Sequence, residues 1–180
     1  MTTIRPFTIF DLLKYSNIVL RAQSDTFYTV IYWDFICKSP EYWLTLENSA
    51  SKIQGYILGR AEGDKSVEKR EWHGHVTQLA IDPYFRNQGL AKTLMTYLEK
   101  ISIKTHNAWY MDLFVRSSNT VAIDLYKQLG YTLYRKVLDF YVQDSINPTE
   151  DAWTMRKSMP RDVRNELMIP LDSPDYPHQL

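Results

Sequence analysis

The middle third of the chain restricts its possible folds most. An apolar, strand-like run, Trp72-His73-Gly74-His75-Val76-Thr77-Gln78-Leu79-Ala80-Ile81, is ended by Asp82-Pro83, and the loop Tyr84 to Gln88 follows. From about Gly89 to Ile101, Ala91, Leu94, Met95, Leu98 and Ile101 recur at helical spacing, with Lys92, Thr96 and Glu99 on the other side. Trp109 to Val115 is a second short apolar strand. Ser118-Asn119 then caps a helix that runs to Leu129 and stops at Gly130, and Tyr131 to Arg135 is a further strand. Strand, helix, strand, helix, strand needs crossover connections. The predicted class is α/β (α+β), with a partly parallel, mixed central sheet flanked by helices.

The rest of the chain fits around that centre. Thr8-Ile9-Phe10-Asp11 reads as a capping box opening a helix with Leu12, Leu13, Ile18 and Leu20 on its apolar side. Asp25 to Ile36 is aromatic and β-branched without a clear period, so no element is assigned there. Tyr42 to Leu46 and Ile53 to Leu58 read as strands joined by a polar turn around Asn48 to Ser51, and Gly63 to Glu71 as a charged loop. Leu138 to Val142 and Ala152 to Lys157 read as two more strands. After Pro160 the chain is polar and proline-rich (Pro170, Pro174, Pro177), which predicts an extended arm. The expected organisation is one domain over residues 1–159 and a tail over 160–180.

Charge and cysteine content narrow the partners. Lysine plus arginine equals aspartate plus glutamate at 21 each, which argues against a protein that coats nucleic acid directly. Cys37 is the single cysteine and cannot form an internal disulfide, so a reducing compartment is expected. The N-terminus has no apolar leader, and no run approaches a membrane span. These features predict a cytoplasmic protein that does not engage a membrane.

Two local motifs carry chemistry. Arg86-Asn87-Gln88-Gly89-Leu90-Ala91 sits between a strand end and a helix start, where unpaired backbone N–H groups and the positive end of the helix dipole favour phosphate. Gly89 and the small Ala91 permit close approach, and Arg86 adds a charged donor. In the second helix Asn119 and Tyr126 lie two turns apart on nearly one face, with Ala122 and Ile123 between them. Taken singly, the first motif is a helix start with a convenient glycine, and the second an N-cap beside a core tyrosine.

Together, Arg86-x-x-Gly89-x-Ala91 and Asn119-x-x-Ala122-x-x-x-Tyr126-x-x-x-Gly130-Tyr131 resemble the GNAT (GCN5-related) acetyltransferase superfamily over roughly residues 4 to 157. Glu71-Trp72-His73-Gly74-His75-Val76-Thr77, Asp112-Leu113-Phe114-Val115-Arg116 and Tyr126-Lys127-Gln128-Leu129-Gly130-Tyr131 are similar to the catalytic subunits of NatB-type N-terminal acetyltransferases. Gly55-Tyr56-Ile57, Asp151-Ala152 and Met155-Arg156-Lys157 extend that likeness. The resemblance implies the GNAT fold and acetyl-CoA as co-substrate. It also implies transfer to nascent polypeptides that begin Met-Asp, Met-Glu, Met-Asn or Met-Gln, on ribosomes, with a large helical-repeat auxiliary subunit. By the same likeness Arg86, Asn87, Gln88, Gly89, Leu90 and Ala91 hold the coenzyme pyrophosphate. Leu79, Ala80 and Ile81 with Asn119 and Tyr126 flank its pantetheine arm. Asp25, Thr26 and Phe27 form one peptide lip, and Phe140 with Tyr141 the other.

Acetyl transfer to an amine requires a neutral amine, a polarised thioester carbonyl and a proton for the departing thiolate. A terminal α-amine has a pKa of about 7.7 to 8.0, so a modest base suffices. His75 is the first candidate base and His73, two residues before it, the second. His75 and Thr77 can instead contact the peptide's second side chain. Two histidines at this spacing could also share a metal, but no cysteine or acidic third ligand stands nearby in sequence, so no metal is expected. Tyr126 is the candidate acid, and the amides around Leu79 and Ile81 can polarise the carbonyl. Two other readings stay open: a lysine or small-amine acetyltransferase, and an acetyl-CoA-binding module without catalysis.

Overall fold

The computed structural model describes residues 1–11, 14, 37–141 and 149–177. Among them are β1 (Thr2–Pro6), β2 (Leu44–Asn48), β3 (Ile53–Glu62), β4 (His73–Ile81), α1 (Leu90–Lys104), β5 (Tyr110–Arg116), α2 (Thr120–Gln128), β6 (Thr132–Tyr141) and β7 (Glu150–Ser158). The central succession β4, α1, β5, α2, β6 is the one the sequence predicts. Two compact units divide the chain: Met1–Glu62 with Gly74–His106, and Gly63–His73 with Asn107–Leu180.

In the first unit the strands run in the order β1-β2-β3-β4. β1 and β2 pair antiparallel, Thr2 opposite Asn48 and Pro6 opposite Leu44, and β2 pairs antiparallel with β3. The connecting turn is built as expected, with the Asn48 side-chain oxygen accepting from the Ala50 and Lys52 amides, each at 3.0 Å. The core gathers Trp43, Leu46, Tyr56, Ile57 and Leu58 with Leu94, Met95 and Leu98 of α1. Two boundaries differ from the sequence reading. Tyr42 falls in a 3-10 turn over Pro40–Tyr42, which Pro40 opens with its preset φ at a position that needs no amide donor. Its buried hydroxyl meets Ser102 Oγ at 2.8 Å, and burial pushes the phenol up to about 12.

β3 continues past Leu58 to Glu62. Gly59 reads in sequence as a strand end, yet it serves close packing: a Cβ there would lie 2.6 Å from the His75 carbonyl oxygen and 3.2 Å from Leu98. At the N-terminus the Thr8 amide donates to Asp11 Oδ2 (2.7 Å), which is one half of the predicted capping box. The other half is replaced, since the Thr8 hydroxyl donates to Asp11 at 2.9 Å instead of accepting from its amide. Leu12, Leu13, Ile18, Leu20 and the segment from Asp25 to Ile36 lie outside the described residues.

In the second unit the strand order is β5-β7-β6, both pairings antiparallel. Gly63 to Glu71 forms the expected loop, tied by the Ser66 amide to Asp64 (2.8 Å) and by Lys69 to Asp64 (2.8 Å). Where the sequence suggests two strands, over Tyr131 to Arg135 and from Leu138, there is one strand, β6, with an irregular end. Val137 pairs with Ala152 and Tyr141 with Glu150, so Leu138, Asp139 and Phe140 bulge opposite Asp151. Asp139 takes a left-handed φ of 52° and its amide donates to Asp151 Oδ1 at 3.0 Å. Arg156 lies between two rings, its guanidinium carbon 4.2 Å from the Tyr110 centroid and 3.7 Å from that of Tyr134.

One buried carboxylate links the first unit's stability to acid. Arg5 grips Asp11 through both terminal nitrogens (2.7 and 2.8 Å) and also binds Glu47 on β2. Burial opposes the Asp11 charge, but the Arg5 and Thr8 hydrogen bonds outweigh it and lower the carboxyl to about 2. A depressed folded value stabilises the fold above the unfolded pKa and is lost as pH falls through the folded one. The wild type should therefore lose about 2 kcal/mol between pH 4 and pH 2 that Asp11→Asn does not lose. Urea midpoints of both proteins measure this; equal losses across that window would refute it.

Candidate active site

The turn between β4 and α1 is assembled from local rules. Asp82 is fixed by its amide bond to the Gln54 carbonyl (2.9 Å) and caps the short turn Pro83–Phe85 by accepting from the Tyr84 amide at 3.0 Å. Arg86 leaves that turn exposed, with Nε donating to the Ile81 carbonyl at 3.3 Å. Asn87 (φ 61°) and Gly89 (φ 73°) are both left-handed, and Gln88 between them is exposed. Gly89 is the N-cap of α1, and the first helical bond is the Thr93 amide to the Gly89 carbonyl at 3.0 Å. The amides of Leu90, Ala91 and Lys92 therefore project from the helix end. A Cβ on Gly89 would meet nothing within 4 Å among the described residues. Such a concavity of amides at the positive end of a helix suits an anion.

β4 leads into this turn and alternates its side chains. His73, His75, Thr77, Leu79 and Ile81 fall on one face, and Val76, Gln78 and Ala80 on the other. His75 is only 6% exposed, and its Nδ1 lies 3.7 Å from Glu62 Oε1, whose carboxylate is held in turn by Arg60. The Thr77 hydroxyl is buried and has no hydrogen-bond partner among the described residues. A hydroxyl in that state has already lost its water and gained nothing in exchange.

The second unit carries the other motif. Asn119 caps α2, its Oδ1 accepting from the Ala122 amide at 3.2 Å, and Gly130 ends the helix with φ 89°. Tyr126 is buried, edge-on to Tyr131 with centroids 6.0 Å apart. Burial alone pushes its phenol up to about 12, and its hydroxyl has no hydrogen-bond partner among the described residues. Burial thus favours the protonated phenol, which has a hydrogen to donate. Phe140 stacks on Phe114 (4.5 Å) and meets Tyr141 edge-on, while Arg116 lies 4.1 Å over the Tyr141 ring. Both rings are half-buried, a position between core and surface.

His73 is engaged differently from His75. It stacks on Tyr110 at 4.5 Å, with Nδ1 on the Glu71 carbonyl and Nε2 3.4 Å from Asp112 Oδ1. The sequence reading did not place Glu62 beside His75 or Asp112 beside His73. Both acids stand on other strands, and strand register across a sheet cannot be read from local spacing. The early peptide lip, Asp25, Thr26 and Phe27, lies outside the described residues.

The profile of the acetyltransferase (GNAT) family matches residues 9–131. The N-terminal acetyltransferase B complex catalytic subunit NAA20 of Arabidopsis thaliana is 42% identical over 180 residues, covering 100% of this chain and 98% of that protein. N-alpha-acetyltransferase 20 of Dictyostelium discoideum is 44% identical over 177 residues, covering 98% of this chain and 97% of its own length. The crystal structure of Chaetomium thermophilum Naa20 in complex with a bisubstrate analogue aligns with a TM-score of 0.85 at 34% identity, over 97% of this chain and 95% of that one. The fold class expected from the sequence, a mixed sheet flanked by helices, therefore holds.

The cap of α2 gives a local test. Asn119→Ala should cost about 1 kcal/mol of stability, while Asn119→Asp, which keeps the accepting oxygen, should cost little. Thermal or denaturant midpoints check this, and equal losses in both variants would show that the cap oxygen is not what matters.

Proposed function

This chain belongs to the acetyltransferase (GNAT) family, and from that premise we propose that it is the catalytic subunit of a NatB-type N-terminal acetyltransferase. It moves acetyl from acetyl-CoA to the α-amine of polypeptides beginning Met-Asp, Met-Glu, Met-Asn or Met-Gln. The observation that carries this reading is the left-handed turn at Gly89, with three helix-end amides projecting into it, in a chain that also retains a protonated, buried Tyr126.

The residues fit the coenzyme. The amides of Leu90, Ala91 and Lys92 match a pyrophosphate, Arg86 supplies the neighbouring positive charge, and Asn87 and Gln88 complete the turn. Leu79, Ala80 and Ile81 offer strand backbone to the pantetheine amides, and Asn119, whose Oδ1 is committed to the cap, keeps its amide nitrogen as a donor. During transfer the amine nitrogen forms a bond to the acetyl carbon, and the carbon–sulfur bond breaks. His75 takes the proton that the attacking nitrogen sheds, and Tyr126 hydrogen-bonds to the departing sulfur. A phenol near 12 facing a thiol near 8.5 is a poor source of a free proton: full transfer is uphill by about 5 kcal/mol. Tyr126 therefore works chiefly as a hydrogen-bond donor to the departing thiolate, which is protonated from solvent after the carbon–sulfur bond breaks, while His75 returns the amine's proton to solvent.

Selection of the second residue follows from Thr77. Asp, Glu, Asn and Gln share one feature, a side-chain oxygen that accepts a hydrogen bond. The buried, unpartnered Thr77 hydroxyl suits such an acceptor. A leucine at that place would leave the hydroxyl unpaired. Phe140 and Tyr141 form the late lip around the initiating methionine, and Asp25, Thr26 and Phe27 the early one.

The catalytic-subunit names of the relatives support a large auxiliary subunit as partner. Phe10, 72% exposed where the early apolar segment begins, is in keeping with a covered surface. Work on nascent chains at the ribosome in the cytoplasm is part of the same reading. The lone cysteine supports it, and no helix among the described residues is long and apolar enough to cross a membrane.

Initial rates on Met-Asp, Met-Leu and internal-lysine peptides test the proposal, with the chain co-purified with its auxiliary subunit. Met-Asp should be strongly preferred; comparable rates on all three would exclude the NatB assignment. Tyr126→Phe should lower turnover by roughly a hundredfold or more, while acetyl-CoA still raises the melting temperature as in the wild type.

A further inference from the structure

The C-terminal segment is engaged by backbone bonds that its composition does not announce. β6 ends the strand order of its unit, so its outer edge presents a row of unpaired peptide groups unless something covers it. Residues 168–175 do so. The Thr132 hydroxyl donates to the Met168 carbonyl (3.1 Å), and the Leu171 amide donates to the Tyr134 carbonyl (2.7 Å). The Asp175 amide donates to the Lys136 carbonyl (2.9 Å), and the Leu138 amide donates to the Asp175 carbonyl (2.9 Å). Val137 and Asp175 thus form a parallel bridge. Asp175 is 7% exposed, and its carboxylate pairs with Arg135.

The last of these bonds falls at a sensitive place. Leu138 is the first residue of the bulge, followed by left-handed Asp139 and then by Phe140 and Tyr141. On the β7 side the bulge is held by the Asp139 amide on Asp151 and by Thr149 on Asp139. On the outer side, among the described residues, the strand entering the bulge is fixed by the Asp175 bridge. A bulge re-aims the side chains that follow it, and its angle depends on both anchors. The tail therefore constrains how Phe140 and Tyr141 project.

We infer that residues 168–175 are a built-in strap that positions the Phe140–Tyr141 lip for the peptide, with Asp175 and the Leu171 amide as its positioning groups. The inference rests on the assignment of that lip to peptide binding proposed above. The strap sets the affinity for the acceptor peptide and leaves acetyl-CoA binding alone, because among the described residues its hydrogen bonds beyond the tail itself go to β6.

Two full-length variants test it. Leu171→Pro removes one amide donor from a residue whose side chain is exposed, and Asp175→Asn removes the charge that faces Arg135. Each should raise the KM for a Met-Asp peptide by roughly tenfold. Each should leave the acetyl-CoA KM and the acetyl-CoA thermal shift within about twofold of wild type. Amide hydrogen exchange at Leu138 should be faster in both, and that readout does not depend on activity. Unchanged exchange, or a peptide KM and an acetyl-CoA KM that rise together, overturns the strap. A wild-type chain inactive on Met-Asp peptides would instead sink the functional assignment, with the exchange data still deciding whether residues 168–175 hold the bulge.

Discussion

The approach of β3 to β4 is the constraint on which the first unit depends. At Gly55 a Cβ would sit 2.7 Å from the Ala80 carbonyl oxygen, and at Gly59 one would sit 2.6 Å from that of His75. No side chain fits at either position without the strands parting. That closeness fixes β4 along its length, from His75 and Thr77 to Ile81, where the chain turns into Asp82 and then into the left-handed run at Asn87 and Gly89. The helix-end amides therefore stand on a rigid strand. A loop alone would hold them less accurately, and an anion held by fixed dipoles needs no reorganisation when it binds.

The two candidate proton-handling groups are separated by environment. Tyr126 is buried with no hydrogen-bond partner among the described residues, so burial raises its pKa and favours the protonated phenol. His75 is at least as buried but has a carboxylate, Glu62, 3.7 Å from one ring nitrogen, and Arg60 holds that carboxylate from its other oxygen. The α-amine needs only that modest base, whereas a lysine, with a pKa of about 10.4, would demand a stronger one.

Much of this was legible in the sequence because it is written locally. Asn119 and Gly130 bracket α2 within a residue of the predicted ends, since caps depend on a side chain and a φ angle and not on distant contacts. Asp82-Pro83 and Gly89 marked the β4–α1 turn for the same reason. What stayed hidden was tertiary. Gly59 looked like a strand end and is a packing requirement. The break expected between Arg135 and Leu138 is absent, and the irregularity falls later, where the left-handed backbone of Asp139 is held by Asp151 and Thr149. The acids beside the histidines come from other strands. The proline-rich tail read as an arm, but Leu171 and Asp175 still carry amides, and the prolines stand at positions whose missing donors β6 does not use.

In the role proposed for it, Thr77 would discriminate by what it leaves undone. A buried hydroxyl without a partner costs about 1–3 kcal/mol in the free protein. A stabler protein would carry valine there, or a neighbour that accepts the proton. Keeping the hydroxyl unpartnered makes part of the binding energy available only to a ligand that brings an acceptor oxygen to that spot. At 1.4 kcal/mol per factor of ten, that deficit would amount, on the peptide placement proposed above, to roughly five- to a hundredfold between an acceptor-bearing second residue and an apolar one of similar size. Charge would not serve as well: a cation at this place would favour Asp and Glu over Asn and Gln, whereas a neutral hydroxyl donates to all four.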